Sequence, residues 1–242
     1  MPNDSQRAAS SGILEGKRER VLTLVKALPH VGQKHGETVC CAGLTSDGQW
    51  RRQYPIHFRR LKAEFGRWDW IEYDWKAPGG EDRRAESRRV QETTLCKVDT
   101  LSPAKRAAFL DRAILPSCEA AAAKGHSLTL IRPRNTRFWW KKKPDKQVAR
   151  EKAAYERAAQ QLSFLDPVLM ALNPCPYEFK FNYDTEDGLS HRATCDDWET
   201  AAMFYRFAKE RGSGPALADM ERVFNEEYPA KGMVFAMGTH MG

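Results

Sequence analysis

The chain has 242 residues, of which 41% are hydrophobic and 29% charged, values typical of a folded globular protein. Its formal net charge is +7, and no apolar run reaches the roughly 18 residues that a membrane helix needs. Composition therefore excludes wholesale disorder and a helical membrane protein. Because the N-terminus lacks the apolar stretch of a secretory signal, we expect a cytoplasmic protein with no membrane partner.

The first part of the chain predicts a small β-rich unit at residues 17–101, after a flexible tail at residues 1–16. Alternating or β-branched segments separated by glycine-containing turns are typical of strands, and they occur at 21–27, 38–44, 49–54, 68–76 and 92–99. Five short strands of this kind suit a small closed barrel.

A helical connector is predicted at residues 102–125, because Ser102 and Pro103 form a good helix start. A second β-rich unit then occupies residues 126–242. Its predicted strands lie at 126–133 and 136–142 around a turn, then at 177–183, 189–194 and 233–237; its helices lie at 145–162, from a cap at Asp196 to Arg211, and after Pro215. The fold class is α+β. The last strand would leave an open edge, which we expect a partner or a longer chain to cover.

Positive charge is concentrated in two stretches of the chain. Residues 17–93 carry sixteen Lys and Arg against eleven Asp and Glu, and residues 132–152 carry nine against two. From residue 177 onward the balance is reversed, with seven Lys and Arg against twelve Asp and Glu. A basic field of this kind attracts phosphate backbones, so we predict nucleic acid as the partner.

Arginines interleaved with aromatic residues are the strongest candidates for the contact. Guanidinium groups match phosphate geometry, and aromatic rings stack on bases, so the two together typify grooves for single strands. The predicted contact residues of the first unit are Arg51, Arg52, Arg59, Arg60, Trp70, Arg83, Arg84 and Arg88. The alternative is that these rings are core.

The segment at 132–146 is the densest mixture of basic and aromatic residues. In a strand, Phe138 and Trp140 point opposite to Trp139, so Trp139 is predicted to form an exposed stacking surface beside lysines. The predicted contact residues here are Arg132, Arg134, Arg137, Trp139, Lys141, Lys142 and Lys143. The alternative is a solvated lysine run at a strand end.

A catalytic reading is possible for His191, Asp197 and Glu199, which could hold Mg²⁺ or Mn²⁺ in a metal-dependent nuclease. The alternative is structural: Asp196 and Glu199 stand three apart at a helix start, which is capping-box spacing, and acidic residues in a first turn complement the helix dipole. The six cysteines are scattered without a C-x-x-C pair, which predicts neither a zinc ribbon nor a disulfide framework. We therefore favour a binding module with no cofactor over an enzyme.

Several motifs resemble one family. They are GETVCCAGLTSDGQWRRQYPIHFRRL, WDWIEYDWK, EDRRAESRRV, LIRPRN, YEFKFNY, HRATCDDWE and FAMGTH. Together they resemble a prokaryotic dual OB-fold-containing domain family associated with mobile elements or defence. The resemblance implies two small OB-like β-barrel units that bind nucleic acid.

The resulting hypothesis is a nucleic-acid-binding subunit or accessory factor of a prokaryotic defence or mobile-element system. Its ligand is DNA or RNA, single-stranded or hybrid, and other protein subunits are expected partners. The alternatives are the nuclease and a scaffold that docks a protein partner.

Overall fold

The structure, a computed structural model, describes residues 17–32, 36–57, 64–79, 82–163 and 173–238. The predicted tail at residues 1–16 lies outside this range. No helix among the described residues combines the length and apolar character needed to cross a membrane.

The first unit is built on one sheet in which strands pair around a closed ring. Its strands are β1 (Lys17–Lys26), β2 (His30–Gly32), β3 (Gly36–Leu44), β4 (Trp50–Ile56), β5 (Asp69–Lys76) and β6 (Ser87–Thr100). The strand order is β1-β5-β6-β4-β3-β2, and β1 also pairs with β3, which closes five strands into the ring. All neighbours are antiparallel except β4 and β6, which run parallel. All five predicted strands are present, and β2 was missed because it has only three residues.

The ring closes because β1 pairs with two different strands, one along each half of its length. Its first residues pair with β5, and its later residues pair with β3 across a register shift between Thr23 and Val25. At this crossing a Cβ on Gly43 would lie 2.1 Å from the Leu22 carbonyl oxygen. Only glycine allows the two backbones to approach this closely.

Both faces of the ring are covered by apolar contacts. Val21, Ile71 and Tyr73 are fully buried inside it, as the alternation of β5 predicts. On the outside, Trp70 packs edge-on against Phe109, with ring centroids 5.6 Å apart. Phe109 belongs to α1 (Pro103–Asp111), which with α2 (Cys118–Ala123) forms the predicted helical connector.

The second unit has two separate sheets. Its strands are β7 (Leu128–Ile131), β8 (Arg134–Lys142), β9 (Tyr177–Asp184), β10 (Ser190–Cys195) and β11 (Phe235–Gly238). One sheet has the order β10-β9-β8, and the other pairs β11 with β7. The two strands predicted around a turn, β7 and β8, are both present, but they lie in different sheets, because β7 pairs with β11 and β8 with β9. The pairing of β7 with β11 also gives the last strand a partner within the chain.

Helices cover one face of the three-stranded sheet. They are α4 (Trp198–Arg211), α5 (Ser213–Arg222), a π-helical turn (Val223–Glu227) and α6 (Tyr228–Ala230). The longest helix, α3 (Asp145–Ser163), contacts β2 and β3 of the first unit instead. The buried aromatic side of β9, with Phe179 and Phe181, packs against Phe138 of β8 and Phe224 of the π-helical turn. The opposite side of the sheet is thereby left to polar side chains.

Candidate nucleic-acid interface

The uncovered face of the sheet β10-β9-β8 brings together basic residues from all three strands. Across the strands Trp139 pairs with Lys180, and Lys180 pairs with Thr194. Residues that pair directly point to the same side of a sheet, and side chains two apart along a strand do so as well. We call this surface the platform; it consists of Arg137, Trp139, Lys141, Lys180, Asn182, Arg192 and Thr194.

Trp139 is held at the middle of the platform. Its indole Nε1 donates a hydrogen bond to Asn182 Oδ1 at 3.1 Å. The guanidinium carbon of Arg192 lies 5.2 Å from the ring centroid, and Lys180 Nζ lies 6.0 Å from it. Phe138 on the same strand is buried in the core, whereas Trp139 is half-buried on the other side of the sheet, so the predicted opposite orientation is confirmed although the ring is less exposed than predicted. The ring is fixed in one orientation among cations.

The charge of the platform is net positive. Arg137 and Lys141 are exposed, and within the described residues neither side chain makes an ion pair or hydrogen bond. Lys180 Nζ lies 3.3 Å from the Glu178 carboxylate and donates to Thr194 Oγ1 at 3.1 Å. Glu178 is the acidic residue next to Lys141 in the register. Asp184, two residues beyond Asn182 on the same face, accepts hydrogen bonds from Asn135 and Ser190. Four cations therefore share this face with two carboxylates.

The other basic residues of the 132–143 segment are engaged by acids. Arg132 pairs with Asp111, and Arg134 lies 3.8 Å from Glu186. Lys142 Nζ is 3.6 Å from Asp145, and Lys143 Nζ is 2.8 Å from Glu151. The first three are exposed and could exchange a carboxylate for a phosphate, whereas the Lys143 side chain is only 13% exposed. Basic residues that look alike in the sequence therefore differ in their exposure and in their acidic partners.

In the first unit, Arg51 and Arg88 lie beside a common carboxylate. Their Nε atoms contact the two oxygens of Glu19, and all three side chains are at most 14% exposed. The Arg88 guanidinium also lies 3.8 Å above the Trp75 ring. These arginines stabilise the ring of strands and offer little surface to a ligand.

The remaining predicted residues of this unit have different surroundings. Arg52 donates to Ser127 at 3.2 Å. Arg84 forms two hydrogen bonds with Asp82, at 2.8 and 2.9 Å, which lowers the pKa of that carboxyl to about 2. Arg83 is exposed. Arg59 and Arg60 lie outside the described residues.

The prediction for Trp70 needs correction. Its side chain is buried between β5 and Phe109, with 8% of the residue exposed, so it cannot stack on a base. The sequence of β5 alone does not show that its outward face is covered, because the helix that covers it, α1, comes some thirty residues later in the chain.

A second basic surface was missed in the sequence. A cleft of 440 Å³ lies between the turns of the ring and the connector, and the exposed Arg112, Lys124 and His126 line it beside the largely buried Arg51, Arg88 and Glu86. The platform residues Lys180 and Arg192 were missed as well. Lys180 lies on the polar side of the strictly alternating β9, a signal that could have identified it, whereas Arg192 requires the hairpin register.

The three residues of the nuclease hypothesis do not converge. His191 stacks on Tyr183 and its Nε2 lies 2.8 Å from Thr185 Oγ1. Asp197, six residues further along an extended segment, is roughly 20 Å away. Within the described part of the chain, no three His, Cys, Asp or Glu side chains group closely enough to hold a metal ion.

Asp197 and Glu199 instead have structural contacts. The Asp197 side chain accepts a hydrogen bond from the backbone N–H of Thr200, so this residue caps α4 and the predicted cap at Asp196 is wrong by one position. Both carboxylates pair with Arg67 of the first unit, at 2.8 and 3.2 Å. This contact links the two units.

The fold and this surface define an α+β protein with a closed ring of strands in one unit and a basic, tryptophan-centred sheet face in the other. The chain belongs to the family described as Domain of unknown function (DUF8757), whose model matches residues 114–242. A second family model, Domain of unknown function (DUF8758), matches residues 17–114, so the two matches meet within the connector. No curated protein and no solved structure matches the chain.

Proposed function

We propose that the protein binds nucleic acid and that the platform is the contact surface for an unpaired strand. The observation that carries the proposal is the fixed Trp139 ring surrounded by Arg137, Lys141, Lys180 and Arg192 on an exposed sheet face. Bases of a single strand stack on such rings while cations neutralise the phosphates on either side. A base-paired duplex buries its base faces and cannot use the ring in this way.

The topology of the first unit supports an OB-like barrel as part of the same proposal. Five strands close through the β1–β3 pairing, and the last strand of the ring returns to lie parallel to β4. A small five-stranded Greek-key barrel is the architecture of OB-folds, which commonly bind oligonucleotides. In the second unit the described strands form two sheets without closing, so the proposal limits the OB-like barrel to residues 17–101.

The resemblance to the dual OB-fold family further supports a role as a subunit of a prokaryotic defence or mobile-element system. Partner proteins in such a system are a prediction of that resemblance alone.

The test compares two double variants with the same change in net charge. Arg137→Ala/Lys141→Ala removes the two platform cations that have no acidic partner among the described residues, whereas Lys209→Ala/Lys231→Ala removes two exposed lysines elsewhere. Fluorescence anisotropy with single- and double-stranded DNA and RNA, at several salt concentrations, measures affinity and its salt slope. For a single strand, losing two phosphate contacts lowers the slope of log K against log salt by about 1.4.

The platform variant is expected to bind single strands more weakly with the smaller slope, and the control to bind like wild type. Equal affinities for all three proteins would refute the platform as the contact surface. Running the same panel with Mg²⁺ or Mn²⁺ tests the nuclease hypothesis, which requires cleavage that is lost in Glu199→Gln.

A further inference from the structure

A cavity of 440 Å³ opens beyond the end of β8, between α3, α4 and the connection from β1 to β2. The aromatic side chains of Tyr155, Trp198 and Tyr205 line it. The Tyr205 hydroxyl donates to the Asn173 carbonyl at 3.0 Å, and burial raises the pKa of this phenol. The walls are thus mostly aromatic and apolar, as in sites for flat ligands.

One charged pair lies in this apolar lining. Lys143 Nζ is 2.8 Å from Glu151 Oε2, with the side chains 13% and 28% exposed. Gln147 donates to the other oxygen of Glu151 at 2.9 Å. An ion pair withdrawn from water stabilises a fold little, because desolvation offsets the attraction. A donor and an acceptor side by side in an apolar cavity are instead typical of a binding site.

The cavity lies just beyond the end of β8, the strand that carries three residues of the platform, because Lys143 lines it. Arg137, Trp139 and Lys141 lie two residues apart on β8, and Lys143 continues this spacing into the cavity. The Lys143 backbone N–H donates to the Pro176 carbonyl at 2.9 Å, which extends the β8–β9 pairing to this point. Two extended residues span about 7 Å, so a strand bound along β8 reaches the cavity within a short distance of Lys141.

We propose that the cavity takes one unstacked base of the strand that the platform holds. The base stacks against the aromatic walls, while the Glu151 carboxylate accepts from a base N–H and the Lys143 ammonium donates to a ring nitrogen or carbonyl. Every base carries a donor and an acceptor side by side on its pairing edge, so this pair of charges fits that edge. The inference rests on the proposed function, because the platform must first bind the strand.

The test fills the cavity without removing its walls. Ala202 lines the cavity from an exposed position on α4, so Ala202→Leu takes up space while the core is unchanged. Ala218→Leu, at an exposed position on α5, is the matched control. The probe is a single-stranded oligonucleotide with one 2-aminopurine, whose fluorescence reports the environment of that base.

Wild type and Ala218→Leu are expected to change the 2-aminopurine fluorescence on binding. Ala202→Leu is expected to lose this change and to bind about tenfold more weakly, within the range for one stacked base, while the salt slope stays at the wild-type value. Glu151→Gln keeps the shape of the cavity and serves as the second variant; a smaller fluorescence change with several-fold weaker binding is expected.

The two proposals fail in different ways. If wild type binds no oligonucleotide, the proposed function is refuted and the inference with it. If wild type binds in a manner that depends on Arg137 and Lys141, but Ala202→Leu and Glu151→Gln match it in affinity and fluorescence, only the base pocket is refuted.

Discussion

Replacing Trp139 by alanine separates stacking from charge on the platform. The ring lies on the exposed side of the sheet, 5.2 Å from the Arg192 guanidinium and hydrogen-bonded to Asn182, and it takes no part in the buried aromatic core. Loss of one base-stacking ring weakens single-strand binding by about 1–3 kcal/mol, or about 5-fold to 150-fold. The loss of cross-strand contacts lowers the free energy of unfolding by only about 1 kcal/mol or less.

The assay is anisotropy with a single-stranded oligonucleotide, accompanied by urea unfolding of each protein. Trp139→Phe retains a stacking surface without the indole N–H, so we expect its affinity to stay much closer to wild type. The salt slope of Trp139→Ala should be unchanged, because no cation is removed. Wild-type affinity in a folded Trp139→Ala protein would refute the stacking role and leave charge as the only contribution of the platform.

Three further predictions concern the supporting structure. Glu19→Ala leaves two almost buried arginines without their carboxylate, so urea unfolding should show a loss of about 3–5 kcal/mol. Asn225→Leu removes the amide that accepts from the Phe138 N–H at 2.6 Å, and the unpaired backbone should lower the unfolding free energy by about 1–3 kcal/mol. Because the pKa of Asp82 is lowered from 3.8 to about 2, its contribution to stability is present above about pH 4 and is lost as the pH falls through about 2. The difference in unfolding free energy between wild type and Asp82→Asn should therefore shrink over this window, and a difference independent of pH would contradict it.

Local patterns predicted most of the strands and helices. The alternation of β9, with Phe179 and Phe181 on one side, corresponds to a face buried by helices. The partner of each strand was harder to predict, because pairing depends on residues far apart in the chain. For example, β7 pairs with a strand about a hundred residues later and not with its neighbour β8. Nor could the sequence show that β1 pairs with both β3 and β5, which depends on the bulge beside Gly43.

Only those residues of the candidate site that lie on one strand, β8, could be predicted from the sequence. Arg137, Trp139 and Lys141 follow from alternation along β8, but Lys180 and Arg192 come from a stretch whose overall charge is acidic. The acidic residues of that stretch lie largely in turns and helices, so a regional charge count hides two of the four cations. The field that a ligand meets depends on the face of the sheet and not on the segment of the chain.

The arginines of the first unit illustrate the same limit in the opposite direction. Arg51 and Arg88 look like phosphate contacts in the sequence, yet both are held by Glu19, which precedes them by 32 and 69 positions. A guanidinium with a nearly buried carboxylate partner must give up that partner before it can bind phosphate, which leaves the carboxylate desolvated and unpaired. The side chains of Arg137 and Lys141 have no carboxylate partner among the described residues, so a phosphate can approach them without breaking an ion pair. Of two arginines with the same spacing to aromatic residues, the one without a buried partner is therefore the better candidate for a ligand contact.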